Sequence, residues 1–167
     1  MTARPLTLSS SYLATVRGTH ELHRLIAEGK EDSPEAEAIR DASDGAWEAL
    51  SETERNRARW VAEDLYSLYE EPPAKQEMTR EAQAGLNEAY EARERGEWDR
   101  ALGLLRTWRA YIDPSLLSYL RGTIWLEAGD PATAALFFQH AHRLNPENES
   151  YRAMYVQALN LSKTASH

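Results

Sequence analysis

The sequence predicts an all-α protein. Apolar residues recur at spacings of three and four along most of the chain, and no stretch sustains the two-residue alternation of β-branched residues that a half-buried strand needs. Serine, threonine and aspartate stand where helices would start, and glycine where they would stop.

Composition narrows what such a protein can be. A chain of 167 residues with 42% apolar and 28% charged side chains has enough apolar surface for a core in one domain or two small ones. It has no cysteine, which excludes disulfide frameworks, thiol nucleophiles and cysteine-ligated zinc. The 27 acidic against 19 basic side chains leave a net charge of −8, which argues against nucleic-acid and anionic-membrane partners, since both require a basic surface. No run approaches the roughly 18 apolar residues of a membrane span. Residues Met1 to Ser11 lack the apolar run of a secretory signal, so a cytoplasmic location is expected. The polar tail Lys163 to His167 is expected to fray.

The first helix spans about Ser10 to Glu28, with Tyr12, Leu13, Val16, Leu22, Leu25 and Ile26 at helical spacings and Gly29 as its C-terminal cap. Ser33-Pro34-Glu35 starts a second: Ser33 can cap, and Pro34 stands where no amide hydrogen is missed. This helix is expected to be short, ending near Asp44-Gly45, with Trp47 and Leu50 packing at the joint. Ser51-Glu52-Thr53-Glu54 is a capping box opening a third helix, whose buried stripe is Ala58, Val61, Ala62, Leu65, Leu68 and Tyr69. The adjacent prolines of Glu70-Glu71-Pro72-Pro73-Ala74-Lys75 then stop the helical pattern. A boundary there separates an N-terminal helical segment, 1–75, from 76–167. Acidity is concentrated on its N-terminal side: 16 acidic and 10 basic side chains precede residue 81, 11 and 9 follow.

The C-terminal part repeats itself. Residues 82–148 superpose on themselves with an offset of 33: Ala89 falls on Gly122, Gly96 on Gly129, Ala101 on Ala134, Leu105 on Phe138, Trp108 on Ala141 and Tyr111 on Leu144. Each unit, 82–114 and 115–148, reads as a helix, a Gly-centred turn and a second helix. The small residues allow two helices to approach closely, and Leu105, Trp108, Trp125 and Phe138 fill the space between them. Asp113-Pro114 and Asp130-Pro131 each put a capping side chain before a proline suited to the first helical turn. A last helix, 149–162, has Tyr151, Met154, Tyr155, Ala158 and Leu159 and would cover the open end of the array.

This pattern resembles the tetratricopeptide repeat. The second unit matches at Gly122, Trp125, Gly129-Asp130, Ala134, Phe138, Ala141 and Pro146. The first departs from it, with Ala92 in place of the aromatic, Trp108 in place of a small residue and Pro114 closing a 33-residue period. The resemblance implies an α-α superhelix of two repeats plus a capping helix, with the N-terminal three-helix segment packed on it. It implies a non-enzymatic adaptor or scaffold that binds a peptide or protein on the concave face of the first helices. Mapped by position, that face presents Leu86, Tyr90 and Arg93 from the first unit and Leu116, Tyr119, Thr123 and Leu126 from the second. The Lys/Asn/Arg carboxylate clamp of some members is not matched, because Tyr119 and Thr123 stand where Lys and Asn are needed. Two repeats leave little stacked core, so the N-terminal helices or a second copy of the chain in a homodimer would complete the stack. Leu22-His23, Asp32 to Ala36, Ile39-Arg40-Asp41, Trp47 and Asp64-Leu65-Tyr66 resemble segments of uncharacterised bacterial proteins, which implies no activity.

Other chemistry finds less support in the residues. His20 and His23 are three apart and, with Asp41, form the alternative small-molecule or metal cluster, but the spacing is not that of a hydrolytic zinc site. A His bonded to a carboxylate or carbonyl is the expectation for His23. Asp41 and Asp44 are expected to pair with arginine or cap a turn, and His140 and His142 flank Ala141 and cannot face one ligand. Arg55, Arg57 and Arg59 lie among carboxylates and read as a solvated face. Trp60, off the apolar stripe, is expected to dock on the repeat half or stand at an interface. No cofactor or metal is expected.

Overall fold

The computed structural model describes residues 8–165 and is all-helical among them. Its helices are α1 (Ser10–Ala27), α2 (Pro34–Glu48), α3 (Glu52–Tyr66), α4 (Arg80–Glu94), α5 (Trp98–Thr107), α6 (Pro114–Glu127), α7 (Pro131–Leu144) and α8 (Glu149–Ala165), with 3₁₀ turns at Ser67–Tyr69 and Arg109–Tyr111. The chain divides into two compact units, one ending at Glu70 and the other starting at Glu71.

In the first unit α1 packs on both α2 and α3, burying Tyr12, Val16, Leu25, Ala36, Val61 and Leu65. Serine caps every helix: Ser9, Ser33 and Ser51 accept from the amides of Tyr12, Ala36 and Glu54, and the Ser51–Glu54 capping box is complete. Gly18 sits at the α1–α2 crossing, where an added Cβ would lie 2.6 Å from Ser43 Oγ.

Three sequence expectations are corrected here. α2 continues past Gly45 to Glu48, because Arg55 caps its C-terminal end, Nε donating to Trp47 O (3.4 Å) and Nη2 to Glu48 O (3.2 Å). The Arg55 and Arg59 guanidinium groups also lie over the Trp47 ring, 5.8 and 5.3 Å from its centre. Arg57 is not on a solvated face: it is 4% exposed and donates to Tyr12 Oη at 2.9 Å. It shares a stripe with Glu54, Ala58, Val61, Asp64 and Leu65, so its angular position on α3 outweighs its charge. Tyr69 lies outside the buried stripe. α3 ends at Tyr66, and Tyr69 is exposed on the 3₁₀ turn that follows.

The second unit is built from antiparallel helix pairs in which α4 packs on α5, α6 on α7 and α7 on α8, with α5 contacting α6. The leading segment is pinned by Gln76 N donating to Ala110 O at 2.7 Å. Both hairpins turn through a glycine in the left-handed region, Gly96 (φ 74°) and Gly129 (φ 86°). In each, the next amide bonds back into the preceding helix, Glu97 N to Ala92 O and Asp130 N to Trp125 O, both at 2.9 Å. A side chain at either glycine would oppose that backbone conformation.

The interiors of the two hairpins are filled differently. In the second, Gly122 lets α6 approach the Phe138 ring, and an added Cβ would stand 2.7 Å from it. In the first, the close approach is at Gly85, against which the Trp108 indole lies. The large residue that departs from the repeat pattern at 108 is thus accommodated by a glycine on the facing helix. Residue order alone did not connect the two. Trp125, Phe137 and Phe138 are fully buried, and Trp98 packs against Trp125 with ring centres 5.5 Å apart and planes tilted by 40°.

Candidate functional site

The face formed by α4 and α6 carries most of the residues assigned to partner binding. Local sequence orients them: Ala82, Ala89 and Ala92 anchor one side of α4, and Gly122, Ile124 and Trp125 one side of α6, leaving Tyr90 (40% exposed) and Leu116 (37% exposed) in solvent. Asp113 starts α6 by accepting from the amides of Ser115 and Leu116, and the Ser115 hydroxyl holds its carboxyl below the usual range.

Arg93 and Glu127 join the two helices. Arg93 Nε lies 3.0 and 2.9 Å from the two Glu127 carboxylate oxygens, and Nη2 also donates to Glu127, which raises the guanidinium pKa further. Crevices open on either side of the pair. One is lined by Ala89, Tyr90, Leu105, Leu120 and Ile124, the other by Gly96, Trp98, Ile124 and Ala128, with about 40 Å³ of room in the second. Clefts of this size accept the tip of a side chain, since small-molecule sites commonly need about 300 Å³ or more.

The remaining assigned residues are placed as follows. Leu86 is 8% exposed and belongs to the core of its hairpin, so it offers the face no contact surface. Tyr119 is half-buried in an aromatic cluster, 5.8 Å from Phe138 and 5.1 Å from Tyr151 between ring centres, and ties α6 to α7 and α8. Its role is packing as much as display. Thr123 donates its hydroxyl to Tyr119 O (3.0 Å), and Leu126 is partly exposed.

The alternative cluster is not assembled. His23 Nδ1 lies 2.6 Å from Tyr69 Oη, and the Tyr69 hydroxyl donates to His23 O at 2.7 Å. Asp41 and Asp44 are exposed on α2. No three His, Asp or Glu side chains among the described residues stand as metal ligands. Trp60 is partly exposed on α3. A part-buried pair that sequence reasoning missed lies between α6 and α7, where Ser118 Oγ is 2.8 Å from His140 Nδ1. Burial, then the charges of Arg143 and Arg121, push the His140 pKa down. Its sequence signal was the 22-residue separation that puts Ser118 and His140 on facing sides of one hairpin.

No helix among the described residues is long and apolar enough to cross a membrane. No protein-family model, curated protein or solved structure matches the chain.

Proposed function

We propose that this protein is a non-enzymatic adaptor whose second unit is a pair of tetratricopeptide-like repeats closed by α8, and that it binds a peptide or protein on the α4/α6 face. The observation that carries this reading is that Tyr90 and Leu116, two large apolar side chains, are left in solvent on α4 and α6, each of which buries another of its faces. Exposed aromatic and aliphatic anchors beside shallow crevices are the usual material of a recognition surface. The equivalent Gly96 and Gly129 turns, and the 33-residue offset relating the hairpins, support the repeat reading.

The test is photo-crosslinking in the source cell with a benzophenone amino acid at position 90 or 116, and at Glu88 or Arg100 as exposed controls that point away from this face. Defined adducts from 90 and 116, absent from the controls and lost when Tyr90→Ala and Leu116→Ser are combined in a chain crosslinked through a neighbouring position, are expected. Equal adduct patterns at all four positions would remove this face as the binding surface.

A further inference from the structure

The charge of the α4/α6 face distinguishes among the partners it could take. One helical turn beyond Tyr90 stands Glu94, and Glu91, the residue after Tyr90, lies about 100° further round α4; both are exposed. Neither forms an ion pair among the described residues. The nearby guanidinium, Arg93, is engaged by both carboxylate oxygens of Glu127 and so has little charge left to offer an incoming acid. Arg93 is paired with Glu127 and Arg95 with Glu97, so Glu91 and Glu94 are two carboxylates left uncompensated, and they give the face a negative potential around its exposed tyrosine.

From this we infer that the occupant of the face is a basic peptide segment, with apolar side chains over Tyr90 and Leu116 and a Lys or Arg meeting Glu91 and Glu94. The inference rests on the peptide-binding reading above and adds the chemistry of the partner. A second copy of this chain is the poorer occupant on the same grounds, since a molecule of net charge −8 brings like charge to an acidic rim. Complementary rim charges act on encounter rate and selectivity, so binding must weaken with salt while the apolar contacts supply a salt-insensitive remainder.

The experiment is selection of a random-sequence peptide display library on the full chain, followed by titration of the enriched peptides against three proteins: wild type, E91K/E94K and Y90A/L116S. All four positions are exposed, and circular dichroism with thermal melting checks that each variant keeps its fold. Enrichment of Lys and Arg beside Leu and aromatic residues is expected. Affinity should fall about tenfold in E91K/E94K and decline as salt rises from about 50 to about 300 mM. Peptides that require Tyr90 and Leu116 but are neutral or acidic, or that bind E91K/E94K as well as wild type, overturn the basic partner and leave the face intact. No enrichment, or peptides indifferent to Y90A/L116S, overturns the face itself and this inference with it. Concentration-dependent dimerisation in light scattering that disappears in Y90A/L116S would assign the face to a second copy instead.

Discussion

Glu54 and Ser9, 45 residues apart in sequence, are joined through one carboxylate oxygen: Glu54 Oε2 accepts from the Ser9 amide at 3.0 Å and from its hydroxyl at 2.6 Å. The other oxygen accepts from the amide and hydroxyl of Ser51, at 3.3 and 3.2 Å. Ser9 caps α1 and Ser51 caps α3, so one side chain braces the starts of two helices. Glu54→Ala should therefore cost more than the roughly 1 kcal/mol of an ordinary cap, about 2–3 kcal/mol. Urea denaturation measures it; a loss under about 0.5 kcal/mol would mean that the two serines cap without help.

Acid should destabilise the protein in two ranges. The Ser9 bonds hold the Glu54 carboxyl below its ordinary value of 4.5, so its contribution is complete above that pH and is lost as pH falls through the lower native value. His140 is depressed below 6.5 by burial, so the unfolded chain takes up the proton first and stability declines as pH falls from about 6.5. Melting temperature against pH should show both declines, with His140→Gln removing the upper and Glu54→Gln the lower. An unchanged upper decline in His140→Gln would assign it to another group.

Gly85 and Trp108 should behave as a coupled pair. Gly85→Ala drives a methyl group into the indole and is expected to cost about 1–3 kcal/mol, beyond any helix-propensity gain. In Trp108→Leu the same glycine substitution should be close to neutral or stabilising. A double-mutant cycle reads the coupling, and additive effects would refute the fit.

Tyr12 and Arg57 form a buried bridge between α1 and α3. Tyr12→Phe removes the phenol that accepts from Arg57 Nε and should destabilise by about 1–3 kcal/mol, since a charged donor loses a partner away from water. Thermal denaturation with the melt followed at 222 nm tests this; an unshifted midpoint would show that water replaces the phenol.

Tyr119 and Tyr90 should separate stability from recognition. Tyr119→Ala opens the cluster with Phe138 and Tyr151 and should lower stability by about 2–4 kcal/mol. Tyr90→Ala, at an exposed position, should stay within about 0.5 kcal/mol of wild type. Tyr90 is therefore the cleaner probe of the face.

Much of this architecture follows from residue order alone. Ser9, Ser33 and Ser51, the Asp-Pro pairs at 113 and 130, and the glycines at 29, 96 and 129 act within a turn of their own position, so caps and helix ends are legible where those residues stand. The end of α2 was not, because the arginine that caps it comes from the next helix. Tertiary structure alone decided that Arg57 is buried, that Gly85 receives Trp108, that Leu86 leaves the candidate face, and that Tyr119 is half committed to packing. Each depends on a neighbour distant in sequence or on the angular position of a residue around its helix, and residue type does not encode either. Backbone hydrogen bonds close over three or four residues, whereas the exposure of a side chain is set by whichever helix comes to lie against it.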